Sequence, residues 1–174
     1  MGNSSILFSP FKIKDLDLKN RITMAPTYVG YANPDGTVSE LTLDHYKEMA
    51  SSGAAMIVVE NAAINQTGSG SPFTIRADDD QFMEGLSQLA TAIKDQGALA
   101  FQQINHAGKY AFSAEPLAPT GGPEGALPKE MELEDMDRTI DAFAAAASRV
   151  KAAGFDGVET VSYTHLTLPT ILLV

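Results

Sequence analysis

Four short stretches along the chain are predicted as strands of a parallel β-sheet, and the first three have the apolar body of a buried strand. They cover residues 22–26, 56–59, 99–104 and 155–159. Between these stretches, apolar residues recur at three- and four-residue intervals, which is typical of amphipathic helices. The pattern predicts one helix over residues 43–52 with Thr42 as its N-cap, and a second that starts near residues 78–80 and stops at Gly97. A third predicted helix carries one apolar stripe: Met136, Ile140, Phe143, Ala147 and Val150.

The order of these elements, β-α-β-α-β-α-β, specifies a parallel sheet with right-handed crossover connections. Residues 11–13 and 16–18 alternate apolar and polar positions, so a short hairpin is expected before the first strand. No Gly-x-Gly-x-x-Gly motif follows the first strand, which favours a barrel over a doubly wound sheet. We therefore expect an α/β fold, the N-terminal half of a (β/α)8 TIM barrel with about three and a half β/α units. An open doubly wound sheet is the alternative.

Polar side chains follow the apolar body of two predicted strands. Glu60 and Asn61 come after one run, and Gln103 and His106 lie at the far end of another, together with Gln102 and Asn105. A (β/α) barrel presents its active site at the carboxyl ends of its strands. The simpler explanation, a strand end that meets water, fits these two stretches equally well. Other features of the sequence are needed to distinguish an active site from a solvated strand end.

Composition and charge restrict the function further. The formal net charge of −10 argues against a nucleic acid or an anionic membrane as a partner, because both would repel the chain. There is no cysteine, so neither a disulfide framework nor a thiolate metal site is expected. No basic leader opens the chain, and no apolar run approaches the ~20 residues that span a bilayer. We expect a cytoplasmic protein with no membrane partner.

Eight short stretches, taken in order, resemble the old yellow enzyme family of FMN-dependent oxidoreductases. They are LFSPF at 7–11, LKNRI at 18–22, MAP at 24–26, DGTVS at 35–39, HY at 45–46, VVE at 58–60, QINHAG at 103–108 and AGFDGVE at 153–159. Each fragment alone is weak, but the ordered set is specific. The resemblance covers the chain from about Leu7 to Glu159 and implies a flavin-binding TIM barrel.

The resemblance also implies which residues contact the flavin. The six expected cofactor-binding residues are Ala25, Pro26, Thr27, Tyr28, Asn61 and Gln103. The first three would lie against the ring mostly through backbone groups, and Asn61 would line it. Gln103 would bind the pyrimidine edge, where a carboxamide can donate and accept at once. Tyr28 departs from the cysteine or threonine usual in the family, so the flavin potential or the substrate range is expected to differ.

Several other polar residues are interpreted as structural. His45 falls on a predicted helix, and His106 is interpreted as ordering its loop in preference to contacting a substrate. Tyr31 is interpreted as an ordinary loop aromatic, and the aspartates at 78–80 as a solvated helix start with no metal site. No catalytic residue is assigned, because the family's substrate-binding His-x-x-His or His-x-x-Asn pair has no counterpart after Glu159.

The last fourteen residues differ from the rest of the chain. Residues 161–170 read VSYTHLTLPT, which resembles the translation of a transposase-type sequencing adapter, and residues 161–174 contain no Asp, Glu, Lys or Arg. We therefore expect residues 1–160 to be the N-terminal half of the barrel and residues 161–174 to be a non-native tail. His165 is accordingly not taken as a substrate-binding histidine.

The function implied by the resemblance is hydride transfer from NADH or NADPH, through FMN, to an activated alkene such as an enone or enoyl thioester. The partner would be a small-molecule substrate, while an iron–sulfur cluster could occur only beyond the residues present. The sequence carries no signal for an oligomeric state. The truncated chain itself is expected to be inactive. The alternatives are a phosphate-binding barrel without redox chemistry, a partner-binding module and a non-functional fragment.

Overall fold

A parallel sheet lies at the centre of the computed structural model, which describes residues 5–161. The strands are β1 (Phe11–Ile13), β2 (Leu16–Leu18), β3 (Thr23–Met24), β4 (Met56–Ala63), β5 (Ile75–Arg76), β6 (Leu99–Asn105), β7 (Leu117–Ala118), β8 (Lys129–Glu130) and β9 (Gly157–Val161). The helices are α1 (Glu40–Ser51), α2 (Met83–Lys94) and α3 (Leu133–Ala152). Residues 162–174, which make up nearly all of the predicted non-native tail, lie outside the described part.

The central sheet has the order β3-β4-β6-β9, with every pair parallel. Each step along it is made through one helix, first α1, then α2, then α3. This repeated β/α unit is the construction of a (β/α)8 barrel, and the predicted α/β half-barrel is confirmed. The predicted hairpin is confirmed as the antiparallel pair β1–β2.

The main core lies between the sheet and its helices. Ile57 and Val59 of β4 and Ala100 and Ile104 of β6 are fully buried there, against apolar side chains of α1 and α2 that include Leu86. Successive strand residues point to opposite faces, so the alternate residues form the surface that faces the barrel interior. On that inner surface, the Phe101 ring lies directly over Gly157: a Cβ at residue 157 would stand 2.2 Å from the ring.

β4 contains an irregularity at its carboxyl end. Val59 pairs with Gln102, but the next regular pair joins Ala62 to Ile104, so β4 uses three residues where β6 uses two. Such a bulge leaves an extra residue outside the ladder. It falls at Glu60 and Asn61, and β4 continues past them to Ala63 instead of ending there as the polar residues suggest.

Helix α1 begins three residues earlier than predicted. Its N-cap is Ser39, whose hydroxyl oxygen accepts the Thr42 backbone N–H at 3.1 Å. Thr42 is fully buried inside the helix, so its assignment as the cap was wrong. Serine and threonine are both favoured as N-cap residues. Ser39 is the N-cap because its backbone is extended, and its side chain reaches the first turn of the helix.

The apolar stripe predicted on α3 is only half correct. Val150 is buried, but Met136 and Ile140 are exposed, at 40% and 65%. The buried positions in the first half of the helix are instead Asp135 and Thr139. The Asp135 carboxylate accepts the backbone N–H of Glu132 as part of a capping box at the start of α3. This hydrogen bond allows a charged side chain to be buried there.

Two loops contain structure that the sequence did not predict. The strand β5 extends the carboxyl end of β4, pairing Ile75 with Ala62. In the connection between β6 and α3, β7 pairs with β8. Between residues 5 and 161, no helix combines the length and the apolar character needed to cross a bilayer.

Candidate functional site

A cavity of about 220 Å³ opens at the carboxyl ends of β3, β4 and β6. Its lining comes from the segments that follow these strands: Tyr28, Asn61, Gly70, Ser71, Thr74, Asn105, Ala107 and Tyr110. The polar lining is neutral, consisting of hydroxyl and carboxamide groups. The Thr74 hydroxyl is buried and has no hydrogen-bond partner among the described residues. A buried polar atom without a partner at a cavity wall is a group that a ligand can satisfy.

The segment predicted to lie against a flavin, residues 25–28, leaves the sheet directly after β3. Ala25, Thr27 and Tyr28 are exposed, and Pro26 is half-buried. The Tyr28 hydroxyl is 2.5 Å from the Ser71 hydroxyl oxygen, so this tyrosine spans the cavity mouth from β3 to the loop after β4. The Tyr28 side chain therefore helps to shape the cavity.

Glu60 holds this segment in place from below. Its Oε2 accepts the backbone N–H groups of Val29, at 2.8 Å, and Gly30, at 3.3 Å. The Glu60 backbone N–H in turn donates to the hydroxyl of Tyr46 on α1 at 2.8 Å. Glu60 is fully buried, and this burial raises the pKa of its carboxyl above the ordinary value although the two N–H donors oppose the shift.

Asn61 and Asn105 meet across the two central strands. The Asn61 side-chain nitrogen donates to Asn105 Oδ1 at 3.3 Å, and both residues line the cavity. Asn61 and Tyr28 line the same cavity. Asn105 was noted in the sequence only as a polar strand end, and its pairing with Asn61 could not be inferred there.

Gln103 lies on the inner surface, opposite Glu159 of β9. Its Nε2 donates to Glu159 Oε1 at 2.6 Å. The Gln103 side-chain oxygen has no protein partner among residues 5–161. Glu159 was recognised in the sequence only as the end of a motif, and its contact with Gln103 depends on the register of β6 and β9, which no local pattern reveals.

Gln102 lies apart from Gln103 and Asn105, although the sequence places the three together at the far end of the same strand. It is fully buried, and its Nε2 donates to the backbone oxygens of Glu60, at 2.6 Å, and Gln103, at 2.8 Å. The bond to the Glu60 oxygen ties β4 to β6 at the bulge, where the regular ladder is interrupted. Alternation along the strand explains the difference, because neighbouring residues point to opposite faces.

His106 is buried beneath the loop that carries Gly68. Its Nδ1 accepts the Gly108 backbone N–H at 3.0 Å, and a Cβ at residue 68 would stand 2.4 Å from its ring. Burial lowers the pKa of His106 to about 4, so the ring is neutral near pH 7. This environment supports the loop-ordering interpretation of the residue over a substrate contact.

The remaining candidates from the sequence have structural partners. His45 packs edge-on between the rings of Tyr31 and Tyr46, with centroid distances of 5.5 and 5.0 Å. Among the three aspartates, the first pairs with Arg76, the second caps a short 3₁₀ turn before α2, and the third binds Arg149. Each of the three carboxylates thus has a partner within the protein.

Known proteins share both the sequence and the fold of this chain. It is 40% identical over 165 residues to a metal reductase of Desulforamulus reducens, covering 91% of this chain and 24% of that protein. It is 36% identical over 162 residues to an NADH oxidase of Thermoanaerobacter brockii, covering 88% of this chain and 25% of that protein. The solved structure of an old yellow enzyme homologue from Zymomonas mobilis superposes with a TM-score of 0.80 at 29% identity, covering 88% of this chain and 47% of that one.

The chain thus spans about a quarter of the length of the curated relatives it matches. A family model extends the likeness across most of the chain. The match covers residues 6–165, which include every strand and helix described here and all six expected flavin contacts. The chain belongs to the NADH:flavin oxidoreductase / NADH oxidase family.

Proposed function

We propose that this chain is the N-terminal part of an FMN-dependent oxidoreductase that takes hydride from NADH or NADPH and reduces an activated alkene. The observation that carries the proposal is the cluster of neutral hydrogen-bonding groups at the carboxyl ends of β3, β4 and β6, in a chain of a flavin oxidoreductase family. The substrate class is a small electron-poor alkene, such as an enone or enoyl thioester.

The residues present fit the pyrimidine edge of a flavin. That edge carries an N–H donor between two carbonyl acceptors, so it needs a partner that both accepts and donates. With one N–H committed to Glu159, the Gln103 carboxamide keeps an oxygen acceptor and a second N–H donor. The unpartnered Thr74 hydroxyl at the neighbouring cavity wall is a further group for a ligand to satisfy.

FMN, when bound, supplies the two-electron hydride chemistry of the reaction. The chain's own contribution is to bind and orient. The backbone of residues 25–28 offers a surface for the ring, held by the Glu60 carboxylate through the following two N–H groups. Neutral donors stabilise the negative charge of a reduced flavin without forming an ion pair with it, and the Asn61 and Gln103 carboxamides are of this kind.

The test uses the intact parent, meaning the full-length protein from which this stretch comes. We expect it to purify with a yellow chromophore that heat releases as FMN. Under anaerobic conditions NADH or NADPH should bleach the flavin absorbance, and an enone such as 2-cyclohexen-1-one should restore it. A pure, folded parent with no flavin and no affinity for added FMN overturns the proposal and favours a barrel without redox chemistry.

We also propose that residues 1–160 form the N-terminal part of the barrel and that residues 161–174 are not native. The support is the resemblance of residues 161–170 to a translated adapter. Because the family match extends to residue 165, the natural codons after Glu159 decide the matter. Reading the source gene there should replace VSYTHLTLPT with a sequence that continues the barrel; recovering the same ten residues from the genome would overturn the proposal.

A further inference from the structure

We propose that Glu159 is a positioning residue that holds the Gln103 carboxamide in one orientation for the flavin. The proposal rests on the proposed function, since it needs a flavin at this edge of the sheet. In this proposal Glu159 acts on the cofactor indirectly, through its hydrogen bond to Gln103.

The hydrogen bond itself fixes which end of the carboxamide faces Glu159. An ionised carboxylate carries only acceptors, so it can bind the amide nitrogen of Gln103 but repels the amide oxygen. The 2.6 Å distance from Gln103 Nε2 to Glu159 Oε1 is short, as expected for a bond to a charged acceptor. Rotating the carboxamide by half a turn would put two oxygens in contact, and the flipped state is therefore excluded while Glu159 is in place.

The contact is built into the sheet. Gln103 and Glu159 are register partners on adjacent parallel strands, so their side chains leave the sheet on the same face. One step down the same two strands, Phe101 closes over Gly157, where no side chain competes for the space. The contact between the two side chains is part-buried in the described part of the chain, at the end of the sheet where the ligand cavity opens.

Fixing the carboxamide has a direct consequence for the cofactor. With the nitrogen held by Glu159, the oxygen is left to accept from the flavin N–H, and the second amide hydrogen to donate to a flavin carbonyl. A freely flipping carboxamide would present the wrong order of donor and acceptor for part of the time. Pre-organisation of this kind improves binding by reducing the ordering cost.

The experiment measures FMN affinity and flavin reduction potential in the intact parent and its Glu159→Gln variant. Glutamine is the same size as glutamate but can donate as well as accept, so it removes the orientation constraint and keeps the packing. We expect FMN to bind about tenfold more weakly and the reduction potential to rise, because a negative charge near the flavin is lost. Glu84→Gln, on the exposed surface of α2, is the matched control and should change neither quantity.

A double-mutant cycle separates positioning from a general effect on the fold. If Glu159 acts through Gln103, then Glu159→Gln should have little further effect on FMN affinity in a Gln103→Leu background. An equal loss of affinity in both backgrounds would show that Glu159 does not act through Gln103, and no loss in the native background would overturn the inference outright. Either result leaves the proposed function intact, whereas a wild-type parent that binds no flavin removes the proposed function itself.

Discussion

The Glu60 carboxylate accepts the backbone N–H of Val29 at 2.8 Å, although the two residues are 31 positions apart in the chain. This bond joins the middle of the second barrel strand to the segment that follows the first. The buried Glu60 side chain therefore fixes the backbone that directly follows residues 25–28. The loop next to the candidate flavin site is therefore held from the core.

The free energy of unfolding should depend on pH through Glu60. Its pKa is raised from 4.5, so the folded state holds the proton more tightly than the unfolded chain does. This contribution is fully present below pH 4.5 and is lost as the pH rises through the folded-state pKa, by about 1.4 kcal/mol for each pH unit that separates the folded and unfolded pKa values. Glu60→Gln removes the titration. We expect the stability of the variant relative to wild type to increase with pH over that window.

Urea denaturation of the intact parent and of its Glu60→Gln variant, at several pH values from about 4 to 8, measures this difference. Other titrating groups contribute equally to both proteins and cancel. A difference in unfolding free energy that stays constant with pH would show that the Glu60 carboxyl is not desolvated as described.

His106 should give the opposite dependence. Its pKa falls from 6.5 to about 4 in the folded state, so the unfolded chain takes up a proton that the folded protein does not. Stability is therefore lost as the pH falls from 6.5 to about 4, by up to about 3 kcal/mol. The same denaturation series with His106→Gln should lack this loss. Parallel curves for the two proteins would contradict the neutral, buried ring.

A methyl group at residue 68 should destabilise the loop over the site. In Gly68→Ala the new Cβ would stand 2.4 Å from the His106 ring, which is fully buried and cannot swing into solvent. Overpacking of this kind costs about 1–3 kcal/mol. Gly70→Ala, in the same loop, is the control: its Cβ would meet Ala107 at an ordinary 3.5 Å, and we expect a change within about 0.5 kcal/mol. Equal thermal shifts for both variants would contradict the close contact with His106.

Removing the Gln103 carboxamide should weaken the flavin site of the intact parent. Gln103→Leu deletes the group expected at the pyrimidine edge and leaves Glu159 without its partner. The expected cost is about 1–3 kcal/mol in FMN binding or in the stability of the reduced flavin. Titration of the apoprotein with FMN and measurement of the reduction potential detect it. Gln88→Leu, exposed on α2, controls for the change of residue type, and unchanged values for Gln103→Leu would disprove the assignment.

Residues 1–174 expressed alone should not retain FMN. In the described part, β3 and β9 end the parallel sheet with unpaired edges, and the inner surface around Phe101 is only half-buried. Open edges and uncovered apolar surface favour association between copies. We expect an insoluble or dye-binding, loosely packed product. A monodisperse yellow monomer with a sharp thermal transition would contradict this, as size-exclusion chromatography and calorimetry would show.

The sequence predicted the strand order well, and physical reasons explain where it failed. Apolar runs such as residues 56–59 mark strands that are buried on both faces, which few other elements are. The run gave the wrong end for β4, however, since Glu60 lies inside the strand and is satisfied by backbone groups from a distant segment. The sequence of residues 56–63 alone does not indicate that the Glu60 side chain binds backbone groups of Val29 and Gly30.

Within the candidate site, residue types were predictable but contacts were not. Asn61 and Gln103 were assigned from a family motif, and both lie at the expected end of the sheet. Glu159 was missed as a partner because the contact requires the register between β6 and β9. The exposed Ile140 shows the same limit on a helix: a periodic stripe identifies an apolar face but not the element that covers it.

The bulge in β4 gives this strand one residue more than its neighbour needs. Because β4 advances three positions while β6 advances two, the residues on either side of the bulge keep their places in the ladder. A relative with a single-residue deletion here could keep both flanking faces and still pair normally. It would have one polar side chain where this protein has two. With the bulge, two adjacent residues have separate roles: Glu60 fixes the backbone of a distant loop, and Asn61 lines the cavity. A regular strand would have only one residue at this place for both roles.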